Sequence, residues 1–393
     1  MKPRVLHLID SFHQGGSERQ AIQLARMQHE SGAYAVRIAC LNAEGVLRAD
    51  VERLGLGAIH EFRLRSFRHP STITQARRFA GVLRAEGIKV LHAHDFYTNI
   101  FGMAAGVLAG VPVRIASRRE IDPGRTRAQR FVERRAFAAA HAIVVNAEAI
   151  RRDLVAHGIR DRKIHTIYNG VDPARFTVSG SLSRTERLAS FGLPGGDRLF
   201  VTIVANLRLA LKDHGTFLRA ARLVKEAVPA AAFVVTGEGE LLEPTRHLAA
   251  QLGLAGDVYF TGPCDRVPEL LSVSDVCVLS SVSEGFANVL IEYMMAGRPV
   301  VTTDVGGARE AVADGDNGFL VAPGDAPAMA ARVVSLLVNG ESRARMGTRG
   351  RERALATFSC RSQLERTDRL YATLLARAGR SGVSELRVGS AGV

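Results

Sequence analysis

The sequence predicts an α/β protein built from two doubly wound parallel sheets, and three observations carry that prediction. Apolar strand-like runs alternate with helical runs, first from Val5 to Ile167 and again from Leu199 onward, the pattern of parallel βαβ units. Glycine-rich turns follow strands in both series, at Gly15-Gly16 and at Gly237-Glu238-Gly239. A chain of 393 residues with 47% apolar content is too long for one core and supplies enough for two.

Val5 to Asp10 reads as the first strand, Ser11 to Ser17 as a Gly-rich loop and Glu18 to Glu30 as a helix. Gly15 and Gly16 let the backbone approach a ligand closely, and the N-terminus of the next helix favours an anion. The alternation continues through Tyr34 to Cys40, Leu47 to Leu54, Ala58 to Phe62, Thr72 to Glu86, Val90 to His94 and Asn99 to Ala109. Ligands of such sheets lie at the carboxyl ends of strands, where His92, His94 and Asp95 fall. Pro112 to Ser117 is a further strand, closed by Arg118, Arg119 and Glu120, and residues 124–137 read as a strongly basic helix. Ala142 to Asn146, Ala147 to His157 and Lys163 to Ile167 complete the first series.

Gly180 to Asp197, rich in Ser, Gly and Arg, sets a boundary between residues 1–180 and 181–358. The second series opens with Leu199 to Ala205, a helix near Asp213 to Ala227 and Ala232 to Thr236. Arg208 and Lys212 lie just beyond its first strand, where two cations neutralise a diphosphate. Gly237-Glu238-Gly239 lacks the third glycine of a dinucleotide fingerprint, with Leu242 in its place, which counts against an NAD-dependent oxidoreductase. Val276 to Leu279 is a buried strand. Helices near Pro327 to Val338 and Ser342 to Thr357 follow, then a segment 359–378 with the apolar run Leu364 to Leu375. The Gly/Ser-rich tail 379–393 is expected to be disordered.

Between these lies Ser283 to Glu310, the stretch with the most chemistry. Leu290, Ile291, Met294 and Met295 give a buried helical face beginning near Ala287, and Arg298 to Thr303 reads as a turn and a buried strand. Glu284 precedes the helix and Glu292 lies within it. An ideal helix sets positions eight apart about 12 Å along its axis and roughly a quarter turn around it, so both carboxylates can line one cleft. Backbone N–H groups near Phe286 to Val289 then seat a phosphate between them. Two acids flanking an anion seat suit a ligand with hydroxyls at both ends and phosphate in the middle, the layout of a sugar nucleotide.

Composition narrows the setting. Residues 1–180 carry 28 Lys and Arg against 16 Asp and Glu, whereas residues 181–393 carry 24 against 23, so nearly all of the +13 net charge lies in the first half. A basic half points to an anionic partner. Cys40, Cys264, Cys277 and Cys360 are far apart and show no metal-ligand spacing, as expected of buried thiols in a reducing compartment. The first apolar run works better as a strand than as a signal peptide, and no run reaches about 18 apolar residues.

The run Glu-Gly-Phe-x-Asn-Val-Leu-Ile-Glu-x-Met-x-x-Gly-x-Pro-Val-Val from Glu284, with Gly-Gly-Ser-Glu at 15–18, Val-Leu-His-Ala-His-Asp at 90–95 and Asn-Gly-Val-Asp at 169–172, resembles the retaining GT-B glycosyltransferases of the large group-1 family, family four. The resemblance spans residues 1 to 375. It implies two Rossmann-like domains facing across a cleft, an N-terminal acceptor-binding one and a C-terminal nucleotide-sugar-binding one, with 359–378 crossing back to the first. It implies that Glu284 contacts the transferred sugar, that Glu292 holds the ribose hydroxyls and that His94, ahead of His92, lines the reaction centre. Arg208, Lys212 and helix-end amides would stabilise the departing diphosphate without a metal or other cofactor. Gly16, Gly237, Glu238, Gly239, Arg266, Val267, Gly285, Phe286, Ala287, Asn288 and Val289 fall on the donor side, and Gly15, Ser17, Asp95 and Arg119 on the acceptor side. Ser17 replaces the usual alanine, and Ala205-Asn206 replaces the usual Gly-Arg.

The function so implied is retaining, metal-independent transfer of a sugar from a nucleoside diphosphate sugar to a glycan or lipid-linked acceptor in cell-surface polysaccharide or glycolipid biosynthesis. A GT-B-type nucleotide-sugar epimerase is the alternative enzyme class, followed by the oxidoreductase and a non-catalytic sugar-nucleotide sensor. A cytoplasmic location is expected, with peripheral contact between the basic helix and the anionic inner face of the cytoplasmic membrane. Nucleic acid is not expected, because only Phe131 and Phe137 interrupt that helix as aromatics.

Overall fold

The computed structural model describes residues 2–13, 15–67, 69–121, 124–177, 182–208 and 210–388. The chain divides into two compact units, Met1–Gly170 with Cys360–Val393, and Val171–Ser359. The division falls inside the Asn-Gly-Val-Asp run, earlier than the composition-based boundary at 180. Residues 182–197 belong to the second unit, and the stretch expected to be a linker contains a helix, Arg184–Ser190. Ser183 and Glu186 form a capping box at its start, and Leu188 packs with Leu193 and Phe200.

Among the described residues of the first unit, the strands are β1 (Arg4–Ile9), β2 (Ala35–Cys40), β3 (His60–Glu61), β4 (Val90–Ala93), β5 (Val113–Arg118), β6 (Ala142–Val145) and β7 (Ile164–Thr166). They form a parallel sheet in the order β3-β2-β1-β4-β5-β6-β7. In the second unit β8 (Leu199–Val204), β9 (Ala231–Thr236), β10 (Val258–Gly262), β11 (Val276–Leu279), β12 (Val300–Thr303) and β13 (Gly318–Val321) are ordered β10-β9-β8-β11-β12-β13, again all parallel. The central strands are buried on both faces, which is why they read as unbroken apolar runs. β10 and β13 close the edges of their sheet and are partly exposed; their short apolar runs, residues 258–260 and 319–322, are not marked as strands in the sequence.

The order reverses at β1/β4 in the first sheet and at β8/β11 in the second. Each reversal opens a crevice at the carboxyl ends of two adjacent strands, because the loops leaving them turn to opposite faces. The last helix, Cys360–Val388, belongs to the first unit, where Leu370, Tyr371 and Leu374 pack with Val5, Val90, Val113 and Ile115. It runs well past Leu375. The expected disordered tail from Gly379 is helical through Val388, as a proline-free stretch with Glu385, Leu386 and Arg387 permits, and residues 389–393 lie outside the described residues.

Candidate functional site

At the β8/β11 reversal, the loops after the two strands are tied together. Val282 N–H donates to Leu211 O at 2.8 Å, and Ser280 Oγ donates to Lys212 O at 2.9 Å. Lys212 Nζ donates to Glu284 Oε1 at 2.5 Å, and Ser281 Oγ donates to the same oxygen at 2.7 Å. Both members of the ion pair keep a fraction of their side chains in solvent, 20% and 15%, so the pair is reachable by a ligand. Asp213, next to Lys212, has φ +43°, alone among the described non-glycine residues. Its carboxylate accepts from Thr216 N–H and Oγ1 at the start of the helix His214–Ala227, which holds the chain in a conformation that costs an L-residue roughly 1–2 kcal/mol.

The glutamate is fixed from its other side by Gly306, whose φ is +54° and where a Cβ would overlap the carbonyl of Glu284. Gly307 N–H donates to Gly285 O at 2.8 Å. The helix Asn288–Met295 begins after Ala287, which has no side chain to cap it, so the first-turn amides rely on other partners. Its buried face is the predicted one, with one addition. Tyr293 Oη accepts from Val204 N–H at 2.7 Å and donates to Val278 O at 3.2 Å, fastening the helix to both strands of the crevice. Glu284 therefore sits in the loop before the helix and Glu292 within it, partly exposed, as the spacing predicts.

Gly237 and Gly239 have φ +149° and +146°, and a Cβ on either would overlap the backbone of the loop after β8, at Ala205 and Leu207 respectively. The turn is glycine-rich because two backbones meet there. Leu207 N–H donates to Glu238 O at 2.8 Å across that contact. Arg208 pairs with Glu238 at 2.5 Å, both side chains being more than half exposed, a pairing worth about 1 kcal/mol or less. The two expected cations thus each face a carboxylate, Lys212 on Glu284 and Arg208 on Glu238. Arg266 stacks on Phe191 with its guanidinium 4.5 Å from the ring centre and donates to Ser190 O at 3.2 Å, while Val267 opens the helix Val267–Val273. One Asp-x-Asp run of the kind that holds a metal is present, Asp314-Gly315-Asp316. Asp314 accepts from Leu320 N–H and Asp316 pairs with Arg349, so both carboxylates serve the fold.

At the β1/β4 reversal, the first unit has a pocket of about 210 Å³ whose lining includes Asp10, Ser17, Glu18, His94, Asp95 and Arg119. Asp95 caps the helix Phe96–Ala109 in a reciprocal box with Thr98. Burial pushes its carboxyl up to about 7, and the Asp10 and Glu18 charges add to the rise. Burial also raises Asp10 and Glu18. Gly15 caps the helix Gly16–Glu30, and a Cβ there would overlap the Glu18 carboxylate folded back over it. Arg119 donates to Asn169 Oδ1, and its Nη2 lies 3.5 Å from His94 Nδ1. Burial lowers its guanidinium to about 10 against the pull of Glu18 and Asp95. Neighbouring Arg118 and Arg125 are both paired with Glu133, so they are neutralised in place. Sequence reasoning missed Asp10, Ser281, Tyr293 and Gly306; Asp10 had a signal, since it closes β1.

His7, His92 and His94 are buried together, with one nitrogen from each within 4.8 Å of the others, a spacing compatible with a metal ion. Hydrogen bonds already occupy all six ring nitrogens. His7 Nδ1 meets His94 Nε2 at 2.9 Å and His7 Nε2 meets Gln28 Oε1 at 2.9 Å. His92 meets Tyr371 Oη and Ser117 Oγ, both at 2.7 Å, and His94 Nδ1 faces Arg119. A cation there would have to displace these bonds and sit near a guanidinium, so the cluster reads as a hydrogen-bonded core. Burial holds His92 and His94 well below the usual imidazole range and lowers His7 to about 4, with the neighbouring charges acting in the same direction.

The two sheets, each with its crevice, define the GT-B class of α/β proteins. Residues 184–353 match the family described as glycosyl transferases group 1, and residues 14–175 match glycosyltransferase family 4. The chain is 30% identical over 310 residues to the putative glycosyltransferase EpsF of Bacillus subtilis, covering 77% of this chain and 79% of that protein. It is 35% identical over 228 residues to the putative glycosyltransferase EpsD of the same organism, covering 58% of this chain and 59% of that one. The crystal structure of Anabaena Alr3699/HepE in complex with UDP superposes with a TM-score of 0.84 at 20% identity, covering 95% of this chain and 100% of that one. The chain belongs to the group-1 glycosyltransferases and has their GT-B fold.

Proposed function

We propose that this glycosyltransferase moves a sugar from a nucleoside diphosphate sugar to a glycan or lipid-linked acceptor, with retention at the anomeric carbon and without a metal, in the making of a cell-surface polysaccharide or glycolipid. The observation that carries the reading is the Lys212–Glu284 pair, with Glu284 in the loop that leads into the helix Asn288–Met295. The diphosphate lies against the first turn of that helix, where backbone N–H groups and the helix dipole favour negative charge. Lys212 faces the leaving phosphate as its charge grows, the role a metal clamp fills in other transferases. Arg208 adds a second cation once it leaves the exposed Glu238. Glu284 positions the transferred sugar, and Glu292 takes the ribose hydroxyls. The acceptor proton passes to the departing phosphate oxygen on the same face, which gives retention.

The pocket at the β1/β4 reversal takes the acceptor. Its carboxylates Asp10, Glu18 and Asp95 accept hydrogen bonds from sugar hydroxyls, and Arg119 donates one. HepE binds UDP in its solved complex, so UDP sugars come first in a donor screen. Two measurements on the purified chain test this reading: release of nucleoside diphosphate in EDTA from UDP, GDP or ADP sugars, and the anomeric configuration of the product by NMR. An inverted product, or isomerisation of the donor without any acceptor, would replace the reading with an inverting transferase or an epimerase.

A further inference from the structure

The hydrogen bonds behind His94 run in one direction, set by an acid on the last helix. Asp368 accepts from the Tyr34 hydroxyl and from Gln28 Nε2, the latter at 3.4 Å. A carboxylate only accepts, so Gln28 turns its NH₂ toward Asp368 and its Oε1 toward His7 Nε2, 2.9 Å away. An amide oxygen also only accepts, which places the His7 proton on Nε2. A neutral imidazole carries one such proton, so His7 Nδ1 is a bare lone pair. It lies 2.9 Å from His94 Nε2, and that nitrogen must donate. The remaining nitrogen of His94, Nδ1, is then bare and turned toward Arg119, which shares its pocket wall.

We propose that Asp368, Gln28 and His7 are positioning residues that hold His94 in the Nε2–H tautomer, so that its Nδ1, which faces Arg119 at 3.5 Å, accepts from a substrate hydroxyl that takes the place of that long contact. Assigning the hydroxyl to a sugar rests on the function proposed above; the tautomer does not. The relay explains why three polar side chains from β1, the helix Gly16–Glu30 and the end of β4 are buried together, His7 at 0%, Gln28 at 0% and His94 at 1% exposure. Burial keeps the rings neutral, as a one-proton relay requires. It also gives the last helix a task at the site, since Asp368 is its contribution.

The test is nitrogen NMR of the full chain labelled at histidine, near neutral pH, with His94 assigned through the loss of its signals in His94→Gln. The expected spectrum shows His7 and His94 each with a protonated Nε2 and a bare Nδ1. Asp368→Asn replaces an acceptor with a group that faces either way, and the bare-Nδ1 signal of His94 should give way to an averaged one. Gln28→Glu should preserve it: the two carboxyls share one proton and still present an oxygen to His7, whereas Gln28→Met should not. A proton on Nδ1 of His94 in the wild type, or unchanged rings in both Asp368→Asn and Gln28→Met, overturns the proposal. The wild-type spectrum decides alone if a variant does not fold. Correct tautomers in a chain that transfers no sugar would refute the proposed reaction and leave the relay standing.

Discussion

Lys212 Nζ lies 2.5 Å from Glu284 Oε1, joining the two loops that leave β8 and β11. In this arrangement the two residues proposed above to face the leaving group and the transferred sugar hold each other in place. Lys212→Ala should therefore lower kcat by about 10² to 10³-fold, the cost of removing one donor aimed at developing charge. Glu284→Ala should lower kcat more than it raises the donor KM, and Glu292→Ala should do the reverse, because it removes a contact made equally in ground and transition states. Steady-state kinetics on the three variants separate these effects.

Tyr293→Phe should destabilise the second unit while leaving its chemistry alone. The hydroxyl is buried and satisfies Val204 N–H and Val278 O, so its loss strands both backbone groups at a cost of about 1–3 kcal/mol. Urea unfolding of variant and wild type measures it, with the slope unchanged and the midpoint lowered.

Much of this site is written locally in the chain. Glu284, Glu292 and the apolar face between them follow from helical spacing, and the glycine pairs mark places where backbone meets backbone. What escaped the sequence is long-range. Nothing in the neighbourhood of Tyr293 indicates that its hydroxyl meets Val204, or near Gln28 that it bridges His7 to Asp368, because those partners are chosen by sheet order. The edge strands β10 and β13 were missed because runs of only three or four apolar residues, 258–260 and 319–322, are too short to separate a strand from a loop, and the helix Arg184–Ser190 because its Ser and Arg content resembles a linker.

His214 gives stability a pH dependence with a definite sign. Burial lowers its imidazole from 6.5 to about 4, against a backbone hydrogen bond with Ala205. The unfolded chain then binds the proton more readily, so this contribution is complete above pH 6.5 and is lost as pH falls toward 4, at about 1.4 kcal/mol per pH unit. His214→Asn should flatten the acid limb of stability against pH by one proton, read from urea midpoints between pH 4.5 and 7.5.

The basic helix Arg127–Ala139 turns Arg127, Phe131, Arg134 and Arg135 outward, Phe131 being 59% exposed with the Arg135 guanidinium 5.3 Å from its ring centre. No helix among the described residues is long and apolar enough to cross a membrane. Cations around an exposed aromatic suit an anionic lipid surface, each basic residue adding about 1 kcal/mol and being screened over roughly 10 Å at 0.1 M salt. The chain should co-sediment with anionic vesicles at low salt and leave them at high salt. Replacing Arg127, Arg130, Arg134 and Arg135 by glutamine should abolish it, and equal sedimentation with neutral and anionic vesicles, or none with either, would exclude an anionic-lipid partner.

The most direct test of the donor site is a thermal-shift measurement in EDTA with UDP, GDP and ADP sugars, on the wild type and on Glu292→Ala. A ligand that binds only the folded state stabilises it by about 2.7 kcal/mol at a hundred times its Kd, a rise of several degrees in Tm for a unit of this size. The account predicts such a rise with one class of nucleoside diphosphate sugar in the wild type and its loss in Glu292→Ala at the same concentration. A rise that appears only with added magnesium or manganese, or one that Glu292→Ala retains in full, would contradict it.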